Sequence, residues 1–530
     1  MGNVRILDCT LRDGGYCNGW EFGVAGSRAI ARSLVEAGVD IIECGFLTDR
    51  VRHHEGSTRF NTVEGVGSII PADRGSRLFV AMANYGELDA DALPECDGSS
   101  IGGIRVAFSK RDRFEALEMC REIKEKGYLV FIQAMVSLSY TDEEFLDLIR
   151  RVNEIGPYAF YIVDSFGVMK RRDMLRLFYL TDHNLAEGIP IGFHSHNNMQ
   201  LAYSNAQTLV DMRPVRDLII DSSIYGMGRG AGNLCTELFV DYLNDGYGGA
   251  YDLRPLLKVI DDVVGQFYYR RPWGYSLPNF LSASHSAHPN YAGWLADKDT
   301  LTIGSVNDIF DMMDEEHRLR FDKAYIEDLY DEYMSARGGE SGGVEGIREL
   351  LKGKRALVIC PGKSSDEESD LIADTVAQAD TAAFSVNFFY PHATVDVVFA
   401  SNMRRCERLP GDLRGSKLVV TSNIDAPGAY AVVDYSSLLN GEEPVRDNAA
   451  LMLVRLLISL GVDEILLAGM DGYSPLPEEN YSGDRVSKVV DRKQYEEINR
   501  GMSRVLGELV READIRFLTT PRYVTVGEDD

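Results

Sequence analysis

Eight short apolar runs, spread over the first 245 residues of a 530-residue chain, constrain the fold more than any other feature. They are Val4–Cys9, Ile41–Phe46, Leu78–Met82, Ile104–Phe108, Leu129–Ala134, Phe160–Asp164, Ile191–His196 and Leu218–Ser223. Most are continuously apolar rather than alternating, the pattern of strands buried on both faces. Between them lie amphipathic segments of helical period. In Ser27–Ala37, residues Ile30, Leu34 and Ala37 share one face. Thr141-Asp142-Glu143-Glu144 has the spacing of a capping box ahead of Phe145, Leu148 and Ile149. Strand and helix alternating eight times predict a (β/α)8 TIM barrel, for which about 250 residues is typical. A doubly wound open sheet is the competing arrangement.

In such a barrel the reactive groups come from the carboxyl ends of different strands. The first run ends in Asp8-Cys9-Thr10-Leu11-Arg12-Asp13-Gly14-Gly15, the seventh in Gly192-Phe193-His194-Ser195-His196-Asn197-Asn198. Histidines at i and i+2 on a strand point to the same face, so both imidazoles reach one ion. The Asp13 carboxylate would complete a set of two nitrogens and one oxygen with positions left open. Such a set suits Mn²⁺, Mg²⁺, Co²⁺ or Zn²⁺. A lone His-x-His is equally a hydrogen-bonded pair at a strand end; its coincidence with Arg12-Asp13 favours the metal.

Thr10-Leu11-Arg12-Asp13-Gly14, Glu43 and His194-Ser195-His196-Asn197 together resemble the signature of the DRE-TIM metallolyase superfamily (HMG-CoA lyase-like). Gly226-Met227-Gly228-Arg229-Gly230-Ala231-Gly232-Asn233 is similar to its glycine-rich turn, with the spacing of the aldolase and synthase branches. Val163-Asp164-Ser165-Phe166-Gly167 and Gly274-Tyr275-Ser276 resemble segments of the 4-hydroxy-2-oxovalerate aldolase branch. The resemblance implies metal ligands Asp13, His194 and His196, with Asn233 as a further or water-mediated ligand; Asn233 is alternatively a helix cap. It implies that a divalent ion, Mn²⁺ or Mg²⁺ first and Co²⁺ or Zn²⁺ next, chelates a 2-oxo acid as a Lewis acid. Arg12 would then stabilise the enolate oxygen and Glu43 would orient Arg12. Tyr275 would face the substrate.

The implied activity is a metal-dependent carbon–carbon lyase, an aldolase acting between the enolate of pyruvate or a related 2-oxo acid and an aldehyde. The alternative is a Claisen-type acyltransferase using acetyl-CoA, as in the isopropylmalate and homocitrate synthases. One position departs from the aldolase branch. Three residues beyond the metal aspartate that branch carries a histidine assigned as the base, whereas this chain has Tyr16, with a reference pKa near ~10. Tyr16 would relay a proton, or metal-bound hydroxide would act, or His53, His54, His285 or Tyr275 would supply the base. His285 and His288 sit in an aromatic-rich stretch read mainly as packing.

Beyond the barrel domain (1–245), residues 246–335 read as its helical extension, 336–350 as a linker rich in glycine at 338–343, and 351–530 as a second, Rossmann-like α/β domain. In that domain the strand Arg355–Ile359 runs into Cys360-Pro361-Gly362-Lys363-Ser364-Ser365, which lacks the spacing of a P-loop. This turn, Asp447-Asn448-Ala449-Ala450 and Ala468-Gly469-Met470-Asp471-Gly472-Tyr473 together resemble sialyltransferase-like bacterial domains. That resemblance implies a bifunctional protein whose second domain handles a nucleotide sugar, with a ligand-binding or regulatory domain as the alternative. The formal charge of −27 disfavours nucleic acid and anionic membranes as partners. No apolar run approaches the ~18 residues of a membrane span, and the N-terminus is not a secretion signal. Eight scattered cysteines without a CxxC pair fit reduced thiols in a cytoplasmic protein. A small-molecule 2-oxo acid and an aldehyde are the expected partners, in a homo-oligomer.

Overall fold

The computed structural model of the protein describes residues 2–298, 300–335, 343–476, 479–481 and 492–526. It divides into two compact units. One comprises residues 1–295 with 314–321; the other comprises 296–313 and 322–530.

The first unit is built on nine parallel strands: β1 (Val4–Asp8), β2 (Ile41–Leu47), β3 (Arg59–Phe60), β4 (Leu78–Asn84), β5 (Gly103–Phe108), β6 (Leu129–Ala134), β7 (Ala159–Asp164), β8 (Ile191–Ser195) and β9 (Leu218–Ser222). Their order is β1-β9-β8-β7-β6-β5-β4-β2-β3, and β1 also pairs with β2, which closes eight strands into a barrel. The two-residue β3 hangs on the end of β2. Each of the eight apolar runs is a strand. Thr141 and Glu144 form the capping box of the helix Asp142–Ile155, and Val24–Ala37 is a helix burying Ile30, Leu34 and Ala37.

The two-residue period of the strands sorts side chains between two cores. Ile6, Ile42, Ala81, Ile104, Ile132, Ile162, Phe193 and Ile220 pack outward under the helices. Leu7, Ile41, Val80, Phe131, Tyr161 and Ile219 fill the barrel interior. That parity sends Glu43 on β2, Arg105 on β5, His194 on β8 and Asp221 on β9 inward, because each stands two residues from an inward neighbour or between outward ones. A Cβ on the inward Gly192 would lie 2.2 Å from the Tyr161 ring, so the strand carrying the histidines accepts no side chain there.

The second unit is an open, all-parallel sheet of seven strands: β10 (Arg355–Ile359), β11 (Thr381–Val386), β12 (Val397–Ala400), β13 (Lys417–Thr421), β14 (Ala431–Val433), β15 (Glu464–Ala468) and β16 (Asp514–Phe517). The order β14-β13-β12-β11-β10-β15-β16 reverses between β10 and β15, a doubly wound, Rossmann-like arrangement. No helix among the described residues is long and apolar enough to cross a membrane.

The border of the barrel's helical extension differs from expectation. Residues 246–295 do extend the barrel unit, but the helices Ile303–Met312 and Lys323–Ser335 belong to the second unit. Their polar bonds lead there: the Ser305 hydroxyl donates to Met403 Sδ at 3.0 Å, and the Ser422 hydroxyl to the Met334 carbonyl at 3.0 Å. Residues 336–342 of the expected linker lie outside the described residues. Gly343–Leu351 is a helix that buries Ile347 and Leu351 rather than a linker. Its glycines serve close approach, since a Cβ at Gly343 would stand 2.0 Å from the Tyr430 carbonyl oxygen.

Candidate metal centre and active site

Asp13 ends a one-turn helix, Thr10–Asp13, that starts immediately after β1. His194 lies on β8 and His196 one residue beyond it. One ligand atom from each lies within 4.8 Å of the others, and all three side chains are buried. His196 Nδ1 stands 3.8 Å from Asp13 Oδ2 and has no hydrogen-bond partner. Asn233, on the glycine turn after β9, donates from Nδ2 to Asp13 Oδ2 at 2.5 Å, and its Oδ1 is buried without a partner. A Cβ at Gly228 would come within 2.3 Å of Asn233 Nδ2 and 2.9 Å of Asp13 Oδ2. The turn therefore needs glycine to pass this close to the carboxylate. A carboxylate, two imidazoles and an amide oxygen, with partnerless buried lone pairs among them, form a donor set that fits a divalent ion.

Four further charges tie the cluster together inside the barrel. Arg12 Nε donates to Glu43 Oε2 at 2.9 Å and Nη1 to Asp13 Oδ1 at 2.6 Å. Arg105, fully buried, lies 2.9 Å from the same Glu43 oxygen and pairs through Nη2 with Asp221. Asp221 Oδ2 is 2.9 Å from His194 Nδ1. An ionised Asp221 makes that nitrogen the donor, which leaves the lone pair on Nε2. Charges on strands far apart in sequence are thus linked as Asp13–Arg12–Glu43–Arg105–Asp221–His194.

The electrostatics follow from burial and this pairing. Burial opposes the charge on Asp13, but Arg12, His196, His194 and Arg229 outweigh it and hold the carboxyl well below the usual carboxylate range. Burial pushes His196 down to about 3 in spite of Asp13, with Arg229 adding to the effect, so its imidazole is neutral and able to donate a lone pair. Asp221 likewise stays below its ordinary value: burial raises it, and Arg105 with the His194 bond more than offsets that. Asp164, on β7, is pushed up to about 6 by burial; it accepts the Val168 and Met169 N–H groups and stands apart from the ion-paired chain.

The remaining expected site residues divide. Tyr16 reaches the mouth, its ring edge-on to Trp20 at 4.8 Å and 5.2 Å from the Arg229 guanidinium. Tyr275 does not join: it is 55% exposed and carries none of the hydrogen bonds or ring contacts among the described residues. His53 is held by the Arg59 carbonyl at 2.8 Å with its ring tilted against Phe60, and exposed His54 pairs with Glu21. His285 caps the helix Leu277–Ser284. His288, read from sequence as packing, instead sits 3.3 Å from an Arg229 nitrogen and 5.8 Å from the Phe166 ring. Sequence reasoning missed Arg105, Asp221 and Arg229. The signal for the first two was present, as single charges inside the apolar runs Ile104–Phe108 and Leu218–Ser223.

In the second unit the turns after β10 and β15 cross through glycine. The Gly362 N–H donates to the Gly469 carbonyl at 2.9 Å, and a Cβ at Gly469 (φ +66°) would lie 2.2 Å from the Cys360 carbonyl oxygen. The Asp471 carboxylate accepts the Ser364 N–H at 2.8 Å. Beside these turns is a cavity of about 770 Å³, with Asn448, Arg405, Tyr481 and Tyr435 in its wall.

The HMGL-like family profile matches residues 105–263. A 4-hydroxy-2-oxovalerate aldolase of Carboxydothermus hydrogenoformans is 27% identical over 286 residues, covering 51% of this chain and 79% of that protein. An oxaloacetate decarboxylase of Mycobacterium tuberculosis is 27% identical over 279 residues, covering 51% and 80%. A crystallised N-terminal domain of a candidate aldolase from Bacteroides vulgatus is 27% identical with a TM-score of 0.49, covering 56% of this chain and 97% of that one. The profile spans β5 to β9 and so takes in Arg105, both histidines and Asp221, and with the aldolase relatives it makes the barrel unit of this chain similar to the HMGL-like, DRE-TIM carbon–carbon lyases.

Proposed function

We propose that the barrel is a divalent-metal-dependent aldolase that splits, or in reverse joins, a carbon–carbon bond between the enolate of pyruvate or a related 2-oxo acid and an aldehyde. The observation that carries this reading is the convergence of Asp13, His194 and His196 beside an arginine with a spare donor. Asp13, His194 and His196 would hold the ion, with the Asn233 amide oxygen as a further or water-mediated ligand. When bound, the ion supplies Lewis acidity toward the oxygens of the 2-oxo acid.

Arg12 spends Nε on Glu43 and Nη1 on Asp13, which fixes the guanidinium plane and leaves Nη2 to donate to the substrate oxygen that gains charge on enolisation. Its charge is secure. Burial opposes it, and Glu43 and Asp13 more than compensate. Glu43 therefore acts by orienting Arg12, and Arg105 by holding Glu43. Asp221 sets the His194 tautomer through Nδ1. Tyr16, at the mouth, is the residue in place to relay the proton exchanged at the carbon alpha to the carbonyl.

The test is pyruvate release from 4-hydroxy-2-oxo acids with and without Mn²⁺, run beside metal-dependent exchange of pyruvate's methyl protons in ²H₂O. Release and exchange that both need the ion support the reading. No aldol cleavage and no exchange at pyruvate's methyl group, but condensation of acetyl-CoA with the 2-oxo acid, would move the protein to the acyltransferase alternative.

The second unit favours a separate reading, the handling of a nucleotide-activated sugar. What supports it is the cavity beside the point where strand order reverses, the usual ligand position in open parallel sheets. Thermal shift of the full chain with CMP- or UDP-sugars tests it, and no shift with either counts against it.

A further inference from the structure

Three arginines stand around the metal cluster, and they are not equivalent. Arg12 bridges Asp13 and Glu43, and Arg105 bridges Glu43 and Asp221. Arg229 joins no ion pair among the described residues. Its Nη2 donates to the Ser165 carbonyl at 3.1 Å, its Nη1 lies 3.3 Å from His288 Nε2, and its guanidinium carbon is 5.2 Å from the centre of the Tyr16 ring. Its Nε is buried without a partner. All of these neighbours are neutral. His288 is pushed down to about 2 by burial and then by the charge of Arg229 itself, so it carries no proton to repel the guanidinium and no negative charge to satisfy it.

The position is close to the chemistry. Arg229 follows Gly228, whose own Cβ would lie 2.9 Å from Asp13 Oδ2. Its field reaches both Asp13 and His196. A charge balance then shows what is missing. In the ion-paired chain, the cations Arg12 and Arg105 meet the anions Asp13, Glu43 and Asp221, which leaves one negative charge. A divalent ion and the carboxylate of a 2-oxo acid bring that set to neutrality. Arg229 stands outside that set, a half-buried positive charge held by a carbonyl, an imidazole and a ring and by no carboxylate among the described residues.

Resting on the aldolase reading above, we propose that Arg229 binds a second anionic group, a carboxylate or phosphate carried by the substrate beyond the enolised carbon, and so selects acidic over neutral substrates. The guanidinium suits this role, since its planar fork grips carboxylate and phosphate oxygens through paired N–H donors. The packing of Tyr16 and His288 against Arg229 explains why an aromatic ring and a neutral imidazole line the mouth: both hold the guanidinium without neutralising it.

The test reads binding without turnover. The Mn²⁺-loaded full chain is titrated calorimetrically with 2-oxoglutarate and with 2-oxopentanoate, which differ by a terminal carboxylate in place of a methyl group. The wild type should bind 2-oxoglutarate at least about tenfold more tightly, Arg229→Met should bring the two within about threefold, and Arg229→Lys should fall between them. A merely structural role would weaken both ligands alike. Cleavage rates then separate the two anions: 4-hydroxy-2-oxoglutarate presents a carboxylate, 2-oxo-3-deoxy-6-phosphogluconate a phosphate and 4-hydroxy-2-oxopentanoate neither. A wild type that binds both titrants equally, or an Arg229→Met protein that keeps the wild-type ratio, overturns the assignment. A wild type that fails to exchange pyruvate's methyl protons overturns the aldolase reading instead, and the ratio of affinities still decides the role of Arg229.

Discussion

Both units place polar groups at the carboxyl ends of parallel strands, yet they manage charge in opposite ways. In the barrel, closure of the sheet turns side chains of β1, β2, β5, β8 and β9 toward one axis, so ions distant in sequence become partners in a dry interior. Arg105 and Asp221 are separated by 116 residues and buried together. In the open sheet no axis exists. The turns after β10 and β15 meet through glycine backbones and hydroxyls, and the ion pairs described there are partly exposed, such as Arg446–Asp331 at 2.8 Å. A closed sheet can thus build a preorganised ionic site from its strands, whereas an open sheet offers backbone and space.

The largest effect should come from removing the strand that supplies two ligands. His194→Ala combined with His196→Ala should abolish bound metal and turnover, read by elemental analysis of the purified protein and by pyruvate release. A double variant that still holds one equivalent of metal would refute the site. Stability should fall as well, because both imidazoles are buried and His194 is a hydrogen-bond partner of the buried Asp221.

Arg12→Lys comes next. A lysine cannot donate to Glu43, Asp13 and a substrate oxygen in one plane, so turnover should fall by about 10²–10³-fold with metal content intact. Near-normal turnover would show that Nη2 has no part in stabilising the enolate.

The contrast between the units is sharpest in stability. Arg105→Met takes one of two partners from each of the buried carboxylates Glu43 and Asp221 and should cost about 3–5 kcal/mol in urea unfolding. Arg446→Met breaks a part-exposed pair and should cost about 0–1 kcal/mol. Equal losses would mean that the barrel network is no more desolvated than the second unit's surface.

The smallest effect is a pH dependence. Folded His288 binds a proton only near pH 2, while the unfolded chain binds one near 6.5. The unfolded state therefore holds more protons between those values, and stability falls as pH drops below about 6.5, by up to about 1.4 kcal/mol per pH unit from this group. His288→Gln should remove that slope, so the difference between variant and wild type should shift by about 1 kcal/mol between pH 7.5 and 5.5. An unchanged difference would show that His288 takes up its proton equally in the folded and unfolded states.

Much of this was legible in the sequence. The barrel was, because each strand is a local apolar run and eight of them set the architecture; so was the common direction of His194 and His196, because i, i+2 spacing on a strand fixes a shared face before any tertiary contact forms, whereas the approach of Asp13 depends on β1 closing against β9. The short strands β14 and β16 were not, since Ala431–Val433 and Asp514–Phe517 are strands only because β13 and β15 pair with them. Nor was the exposure of Tyr275, or the border at Leu295, where polar bonds from Ser305 and Met334 draw two helices into the second unit.

Sequence by itself determined which residues lie on which face of each strand, and hence that His194 and His196 project to one side. Tertiary structure alone decided which charges are neutralised. Ion pairing depends on distances between strands that the chain does not join directly. Only closure of the barrel gives Arg12 and Arg105 their carboxylates and leaves Arg229 with a carbonyl, an imidazole and a ring.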